Sequence, residues 1–314
     1  MDCNIKPILK WAGGKTQVLS NLISKIPDDI ENYAEPFVGG GALLFALALK
    51  PNIKNIYISD TNAELMLLYR IVRDHPNELI DEIFKMENIY NSKKMEKREE
   101  YFYKIRETFN NNMNKKLGIS NNILRCAQIL FLNRTCFNGL WRVNSKTGHF
   151  NVPFNKAGIN VKQNGKIVLT NHKVCFPDNM IKASKFLNTR NTAIVTGGYE
   201  ELMKWEFINQ KNTFVYFDPP YRPISKTASF VKYSKVGFND DSQKLLADFF
   251  IQLSKNNKVM LSNSNPEQID PNDKFFRNLY SDDIFSYEIL QARRSINSAI
   301  DKRKKISEIL IHNC

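Results

Sequence analysis

The sequence predicts an α/β protein in which a Rossmann-like sheet of mostly parallel strands is interrupted by an inserted, mostly helical segment that carries a β-hairpin. Two observations predict this fold. Short runs of β-branched and aromatic residues alternate with helical patterns, an order that is typical of parallel sheets. Two of these runs end abruptly in glycine, acidic or proline residues, and open α/β sheets bind ligands at such strand ends.

The sequence TFVYFDPPY contains one of these ends. Phe214 to Phe217 is predicted to be a buried strand, which Pro219 and Pro220 prevent from continuing. The turn holds the Asp218 carboxylate and the Pro219 carbonyl at the carboxyl end of the strand. Two such acceptors suit a planar amine, such as the exocyclic amino group of adenine or cytosine, because accepting both hydrogens frees the nitrogen lone pair for attack. The alternative is a turn whose aspartate only satisfies backbone groups.

Tyr221 places an aromatic ring beside these acceptors. An aromatic ring in this position suits stacking on a base that has been extruded from a duplex. Stacking needs the ring and not the hydroxyl, so Tyr221→Phe is expected to be mild and Tyr221→Ala severe.

The first motif along the chain is LKWAGGK. Gly13 and Gly14 predict a tight loop, because glycine allows backbone angles and close approaches that side chains forbid. Trp11 supplies an apolar wall, and Lys15 supplies a cation at the start of the following helix. Such a loop suits a small polar ligand with a carboxylate, and the alternative is a helix-entry turn with a core tryptophan.

The next unit predicts strand, glycine loop, helix and strand. Asn32–Phe37 forms the first strand, Val38–Gly41 the loop, Ala42–Leu49 the helix, and Asn55–Ser59 a second strand that ends at Asp60. An acid at that position can bind ribose hydroxyls. The glycines do not follow the dinucleotide pattern G-x-G-x-x-G, so an adenosine ligand without phosphates, S-adenosylmethionine, fits better than a dinucleotide. The alternative is a packing unit that binds no ligand.

The pattern is then helical from Asn62 to Phe109 and again from Ile123 to Asn133, with a polar loop predicted at Asn110–Asn122. A hairpin is predicted around the turn Ser145–Gly148. The hairpin and the segment that leads into it carry aromatic, amide and guanidinium groups, which suit recognition of base edges in the major groove. An ordinary surface hairpin is the alternative. The candidate readers are Arg134, Phe137, Asn138, Leu140 and Arg142.

The rest of the chain again alternates helices and strands. A long loop is predicted at Arg222–Asn239, a helix at Asp241–Lys255, a strand at Lys258–Leu261 and a last strand at Glu308–Ile311. Basic clusters precede the last strand and are candidate phosphate contacts, although such clusters are more often surface charge. They are Arg293-Arg294-Ser295 and Lys302-Arg303-Lys304-Lys305.

The net charge is +13 and favours a polyanionic partner, nucleic acid ahead of membrane, unless it only coats the surface. The five cysteines are scattered, and neither they nor the four histidines have metal-ligand spacing. The sequence therefore predicts free thiols in a reducing cytoplasm and no metal site. No apolar run is long enough to span a bilayer, so an intracellular, cytoplasmic protein without a membrane partner is expected.

With these residues in place, the chain resembles the Dam-type DNA adenine-N6 methyltransferases. The motifs LKWAGGK, EPFVGGG, SDTN, LNR…FNGLWR…FNVPF, DPPY, SNSN and RRS…RKK occur in the order of that family, over nearly the whole chain. The resemblance implies transfer of the methyl group of S-adenosyl-L-methionine to adenine N6 in double-stranded DNA, with GATC as the recognised site. It also allows a companion restriction endonuclease that acts on the same site.

The resemblance implies a role for each matching position. Catalysis is assigned to the DPPY residues, Asp218, Pro219, Pro220 and Tyr221. Cofactor binding is assigned to Trp11, Ala12, Gly13, Gly14, Lys15, Glu35, Pro36, Phe37, Gly39, Gly41, Asp60 and Asp218. DNA binding is assigned to Lys10, Arg134, Phe137, Asn138, Leu140 and Arg142, with Arg142 as the reader of a guanine. Phe137 stands where some members have Tyr, so a contact through that hydroxyl is lost.

These implications lead to a division into two domains. Residues 1–63 and 172–314 are predicted to form the catalytic S-adenosylmethionine-binding domain, and residues 64–171 the target-recognition domain. Cytosine-N4 methylation is the rival reaction, and a catalytically inactive DNA-binding protein is the rival of another class. Cytosine-C5 methylation needs a thiolate nucleophile, and no cysteine is near DPPY in the sequence. The acidic pairs that a metal-dependent nuclease would use are interpreted as surface residues.

Overall fold

A computed structural model describes residues 5–113, 115, 117–156, 160–163, 166–169, 171–224, 238–293 and 305–314. The chain divides into two compact units. The helical unit comprises Met1–Gly14 and Asn62–Thr189, and the sheet unit comprises Lys15–Thr61 and Arg190–Cys314. Residues 1–14 and 172–189, which the sequence analysis placed with the sheet, thus lie in the helical unit. The catalytic and recognition roles of the two units stay predictions.

The sheet unit contains a seven-stranded sheet among its described residues, in the order β5-β2-β1-β6-β7-β9-β8. The first five strands of that order are parallel, and β9 runs antiparallel to both of its neighbours. This confirms the predicted α/β class. The strands are β1 (Asn32–Glu35), β2 (Asn55–Asp60), β5 (Asn191–Thr196), β6 (Thr213–Phe217), β7 (Lys258–Ser264), β8 (Ser286–Arg293) and β9 (Lys305–His312).

The centre of this sheet is β6, and all five of its residues are buried. Helices cover the sheet, and their aromatic residues interlock with those of β6: the ring of Phe217 packs edge-on against Phe250, 5.6 Å between centroids, and Phe250 packs against Tyr280. The helices of the unit are α1 (Leu19–Ser24), α2 (Ala42–Ala46), α8 (Asp240–Ser254) and α9 (Phe275–Leu279). Truncating a packed aromatic residue such as Phe250 to Ala is expected to cost about 3–5 kcal/mol of unfolding free energy.

The strand directions determine which residues meet at the carboxyl edge of the sheet. β2, β1 and β6 are neighbours in that order and all end at this edge, so Asp60, Glu35 and Asp218 follow one another along it. β9 runs the opposite way, so its beginning lies at the same edge, with Glu308 opposite Ser264. The carboxyl edge therefore carries four acidic residues from four strands or strand ends.

The helical unit is built from α3 (Ala63–Asp74), α4 (Pro76–Asn91), α5 (Met95–Asn112), α6 (Ile119–Thr135) and α7 (Pro177–Asn188). Asn62 begins α3 as its N-cap, because its side chain accepts hydrogen bonds from the backbone N–H groups of Glu64 and Leu65. A short antiparallel hairpin, β3 (Asn160–Gln163) with β4 (Lys166–Leu169), also belongs to this unit.

Several boundaries differ from the sequence-based expectations. The loop expected at 110–122 is shorter, since α5 continues to Asn112 and α6 begins at Ile119. The hairpin β3–β4, the strand β8 and the helix α9 were not expected at all. Most of the predicted loop at 222–239 and of the basic clusters lies outside the described residues.

The hairpin predicted around residues 145–148 is present, but it pairs only through isolated bridges, Val143 with Phe150 and Cys136 with Phe154. Asn151 N–H donates to the Arg142 carbonyl at 3.1 Å, yet a regular ladder does not extend further. Pro153 has no N–H to contribute, which explains the interruption. None of the described helices is long and apolar enough to cross a membrane.

Candidate active site and nucleic-acid interface

The carboxylate of Asp218 lies at the end of β6 and forms an ion pair with Lys15, 2.7 Å from Oδ1 to Nζ. Lys15 is only 4% exposed. Its ammonium also lies 4.8 Å from the centroid of the Tyr221 ring, which is a cation–π contact. The structure thus brings together three predicted residues of the sheet unit, although the contact between Lys15 and Asp218 was not foreseen.

Burial alters the protonation of the acids at this edge. Burial raises the pKa of Asp218 to about 6, although the neighbouring Lys15 ammonium opposes the rise. Burial likewise raises the pKa of Glu35 to about 8, while the hydrogen bond that it accepts from the Tyr33 hydroxyl, at 2.9 Å, opposes the rise. At neutral pH Asp218 is therefore ionised and Glu35 is protonated, so the two neighbouring carboxyls do not both carry charge.

The backbone after Asp218 is fixed by polar side chains from α8 and β7. Gln243 Nε2 donates to the Pro220 carbonyl at 3.0 Å, and Asn263 Nδ2 donates to Gln243 Oε1 at 3.1 Å. Asn263 Oδ1 accepts from the Arg222 N–H at 3.0 Å. Among the described residues, no donor is assigned to the Pro219 carbonyl, the second predicted acceptor. These bonds hold the backbone of the turn in place.

The glycine loop between β1 and α2 adopts backbone angles that favour glycine. Gly39 has φ 47° and Gly41 has φ 69°, and Gly41 is the left-handed N-cap of α2. The Gly39 N–H donates to Asp60 Oδ2 at 3.3 Å, so the acid at the end of β2 also holds the loop. Pro36 is buried and Phe37 half-buried, its ring 5.8 Å from that of Tyr199. The predicted loop and acid are therefore adjacent.

The LKWAGGK loop begins in the helical unit, apart from its final lysine. Gly13 has φ 77°, and the Gly14 N–H donates to the Trp11 carbonyl at 3.3 Å, which forms the predicted tight turn. The Trp11 ring stacks on Trp141, 6.3 Å between centroids. Trp11, Ala12, Gly13 and Gly14 stay predicted cofactor contacts.

Asn133, at the end of α6, ties Lys10 to the hairpin approach. Its amide accepts from the Lys10 N–H and donates to the Lys10 carbonyl, both at 2.9 Å, and donates to the Gly139 carbonyl at 3.0 Å. A Cβ at Gly139 would lie 2.5 Å from Lys10 Cδ, and its φ of 66° also favours glycine. The side chain of Lys10 is exposed, as a DNA contact requires.

The candidate readers of the hairpin are mostly exposed. Phe137 is 42% exposed, and Asn138 has φ 56°, a left-handed conformation that asparagine tolerates better than most residues. Leu140 is half-buried. Arg142 is exposed, and its Nε donates to Asn151 Oδ1 at 2.8 Å. No partner is assigned to its two terminal nitrogens within the part of the chain that the structure describes.

Arg134 differs from the other candidate readers, because its guanidinium already has partners within the helical unit. Nη2 donates to the Ile8 carbonyl at 3.1 Å, and the guanidinium lies 4.9 Å from the centroid of the Phe176 ring. Burial lowers the pKa of Arg134. The predicted DNA contact stays a prediction, and the structure adds a packing role.

The return side of the hairpin is anchored by α5. Asn110 Nδ2 donates to the Phe150 carbonyl at 3.1 Å, and its Oδ1 accepts from the Phe150 N–H at 2.8 Å. Arg106 Nη1 donates to the Val152 carbonyl at 3.2 Å. Sequence reasoning missed these anchors, as it missed Asn133, Gln243 and Glu308. For Asn133 and Glu308 the available signal was a polar residue within an otherwise apolar helix or strand, whereas Asn110 and Arg106 lie in the polar helix α5 and gave no such signal.

Other chemistries have little support in the described residues. No group of three or more potential metal ligands is found among them. The four described cysteines are free, and burial raises the pKa of each, for example to about 12 for Cys136. These cysteines are therefore neutral thiols and poor nucleophiles at neutral pH.

The parallel sheet, its glycine loop and the acids at its carboxyl edge define a Rossmann-like α/β enzyme. Residues 11–296 match the family model described as D12 class N6 adenine-specific DNA methyltransferase. The chain belongs to this family and is a DNA adenine-N6 methyltransferase. The predicted enzyme class is confirmed.

The chain is similar to named methyltransferases along nearly their whole length. The chain is 42% identical to the Type II methyltransferase M.MjaIII of Methanocaldococcus jannaschii, over 98% of this chain and 99% of that protein. It is 34% identical to the Type II methyltransferase M1.LlaDCHI of Lactococcus lactis subsp. cremoris, over 99% and 96%. It is 29% identical to a DNA adenine methylase of Vibrio cholerae, over 97% and 95%.

Proposed function

We propose that the chain transfers the methyl group of S-adenosyl-L-methionine to adenine N6 in double-stranded GATC. The adenine-N6 activity follows from the family, and the donor and the recognised site are the proposal. One observation carries the proposal: the carboxylate of Asp218 at the end of β6 pairs with Lys15, whose ammonium lies over the Tyr221 ring. This arrangement offers a fixed acceptor for an amine and an aromatic surface for a base.

Asp218 and the Pro219 carbonyl are proposed to accept the two hydrogens of the target amine. The acceptance matters most as the nitrogen lone pair develops in the transition state, so it contributes to the rate more than to ground-state binding. Lys15 keeps Asp218 ionised despite its burial, because a neighbouring cation favours the charged carboxylate. Tyr221 is proposed to stack on the extruded adenine.

The glycine loop and Asp60 suit an adenosine ligand. Gly39 and Gly41 carry no side chain that would hinder close approach to the loop, and Asp60 supplies a carboxylate for ribose hydroxyls next to that backbone. Phe37 adds a half-buried ring beside the loop. S-adenosylmethionine, when bound, supplies the methyl group from its sulfonium. Lys15 is proposed to bind the carboxylate end of this cofactor, because its ammonium is a cation at this edge of the sheet.

Sequence recognition is proposed to depend on Arg142. Arginine donates two hydrogen bonds to O6 and N7 of guanine, and the hydrogen bond from Nε to Asn151 orients the guanidinium while its terminal nitrogens face no assigned partner among the described residues. Phe137, Asn138 and Leu140 lie on the approach to the hairpin and are proposed to contact the same step of the DNA. GATC is the site that the resemblance to Dam-type enzymes implies.

A companion restriction endonuclease is a further part of the proposal. Two of the relatives are named Type II methyltransferases, which supports a role in protecting DNA from an endonuclease that acts on the same site. Plasmid DNA from cells that express the chain should then resist an endonuclease that cuts GATC only when its adenine is unmethylated. Full cleavage of that DNA would contradict the proposed site.

The experiment that tests the whole proposal maps every modified base. Wild-type protein is incubated with labelled S-adenosylmethionine and a random-sequence duplex, and the modified positions are sequenced. The proposal expects N6-methyladenine within GATC, and no label with Asp218→Ala. Methyladenine in another sequence would retain the chemistry and reject the site, whereas N4-methylcytosine would reject the target base.

A further inference from the structure

Glu308 lies beside the candidate active site although no sequence motif includes it. It belongs to β9, whose antiparallel direction brings its first residues to the carboxyl edge of the sheet. The match to the family model ends at residue 296, before this strand begins. Glu308 is a charged residue in a strand that otherwise continues with the buried residues Ile309, Leu310 and Ile311.

The carboxylate of Glu308 bonds to the tyrosine of the DPPY turn. The Tyr221 hydroxyl donates to Glu308 Oε2 at 2.8 Å. Both side chains are partly buried, and a hydrogen bond to an ionised acceptor is stronger than one between neutral groups. The ring of Tyr221 is thus held at its edge by Glu308 and at its face by the Lys15 ammonium.

We propose that Glu308 is a positioning residue for methyl transfer, which fixes the plane of the Tyr221 ring on which the target adenine stacks. The inference rests on the proposed stacking role of Tyr221. A stacking surface contributes to the rate when its orientation is set before the base arrives, because the ordering then costs nothing at the moment of reaction. Without Glu308 the hydroxyl of Tyr221 loses this acceptor, and Tyr221 keeps its hydrogen bond with Asp218 and the contact of its ring with Lys15.

Glu308 also acts on Asp218 through its charge. Its carboxylate is one of the influences that raise the pKa of Asp218, and Lys15 opposes it. Replacing Glu308 by a neutral residue should therefore lower that pKa and move the acid limb of the rate profile to lower pH. The titratable groups that face Asp218 in the sheet unit are Lys15, Tyr33, Glu35, Tyr216, Tyr221 and Glu308.

The test measures single-turnover methylation of a GATC duplex, DNA affinity and pH dependence. Glu308→Ala and Tyr221→Phe should each lower the methylation rate roughly tenfold to a hundredfold, with little change in DNA affinity. This factor corresponds to the free energy of one hydrogen bond to a charged group. The double variant should be no slower than the slower single variant, because both remove the same bond. This inference therefore predicts a substantial loss for Tyr221→Phe, whereas stacking alone predicts a mild one.

Glu308→Gln separates positioning from general destabilisation. Its amide oxygen still accepts from the Tyr221 hydroxyl, so its rate should fall much less than that of Glu308→Ala, and its acid limb should lie at lower pH than the wild-type limb near pH 6. Glu288→Ala is the matched control, since Glu288 on the neighbouring β8 pairs with Lys25 and His312. It should change thermal stability without changing the methylation rate of the folded protein.

The outcomes distinguish this inference from the proposed function. A wild-type rate for Tyr221→Phe, or additive losses in the double variant, would overturn the inference while wild-type methylation of adenine upholds the function. If Glu308→Ala does not fold, Tyr221→Phe and Glu308→Gln still decide the matter. A wild-type protein that transfers no methyl group to adenine would overturn both.

Discussion

In the sheet unit the side chains of Asp218 and Tyr221 are half-buried and bond to other side chains. In the helical unit most of the candidate DNA readers are exposed, and hydrogen bonds hold the backbone of their hairpin. The buried Lys15 forms an ion pair with the half-buried Asp218, while Arg142 reaches outward from a hairpin whose strand is bonded to Asn110. Breaking a buried pair leaves an uncompensated charge, and changing an exposed side chain does not. Mutations in the first region will therefore mix stability with chemistry, and those in the second will isolate recognition.

Asp218→Ala should produce the largest effect. Removing a charge-stabilising contact that acts in the transition state commonly costs about 10²–10³ in rate, so single-turnover methylation should fall by at least that factor. DNA affinity should change little. Asp218→Asn keeps an acceptor oxygen but not the charge, so its methylation rate should lie between those of the wild type and Asp218→Ala. The thermal stability of both variants must also be measured, because both substitutions remove the ion pair between Asp218 and Lys15. Substantial methylation by folded Asp218→Ala would reject the mechanism.

Asp60→Ala tests the cofactor side of the same buried region. Losing a charge-assisted hydrogen bond costs on the order of 1.5–3 kcal/mol, so calorimetry should show S-adenosylmethionine binding weakened by roughly tenfold to a hundredfold. Asp60 also accepts from the Gly39 N–H, so part of the loss could come from the loop. Asp60→Asn keeps that acceptor and should bind more tightly than Asp60→Ala. Equal affinity of wild type and folded Asp60→Ala would remove Asp60 from the site.

Arg142→Ala tests the exposed region, where the loss of sequence discrimination should be confined to one base pair. Discrimination at the guanine of GATC should drop by roughly 1–3 kcal/mol, with preferences at the other positions and the unfolding free energy unchanged. Methylation of duplexes substituted one base pair at a time measures this. An arginine that only binds phosphate would instead weaken activity on all sequences alike, with a shallower salt dependence. That uniform loss would show that Arg142 is not the reader.

The features that sequence predicted well have strong local signals. The unit from Asn32 to Asp60 combines aromatic and isoleucine residues, three glycines in succession and an acid, and the structure contains β1, the loop, α2 and β2 in that order. The abrupt end of β6 follows from Pro219 and Pro220. Local sequence is enough to predict these features, because the steric properties of glycine and proline determine the backbone conformation.

The features that sequence missed depend on contacts between distant residues. Glu308 lies 87 residues beyond Tyr221, and only the order of the strands brings the two together. The strand β8 was missed because it lies at the edge of the sheet and exposes Ile289. The hairpin β3–β4 did have a local signal, the sequence Asn164-Gly165 between its strands, which is the strongest one for a two-residue turn.

The smallest expected effect tests whether the backbone anchor of the helical unit serves recognition. Asn110 bonds to both backbone groups of Phe150, and Asn91 makes the same pair of bonds to His172 elsewhere in that unit. Asn110→Ala and Asn91→Ala should therefore each lower the unfolding free energy by about 1–3 kcal/mol in urea titrations. Only Asn110→Ala should also reduce guanine discrimination, by a few-fold and less than Arg142→Ala, because the hairpin then presents the guanidinium less rigidly. Equal discrimination by the two variants would mean that the exposed reader does not need its anchored backbone.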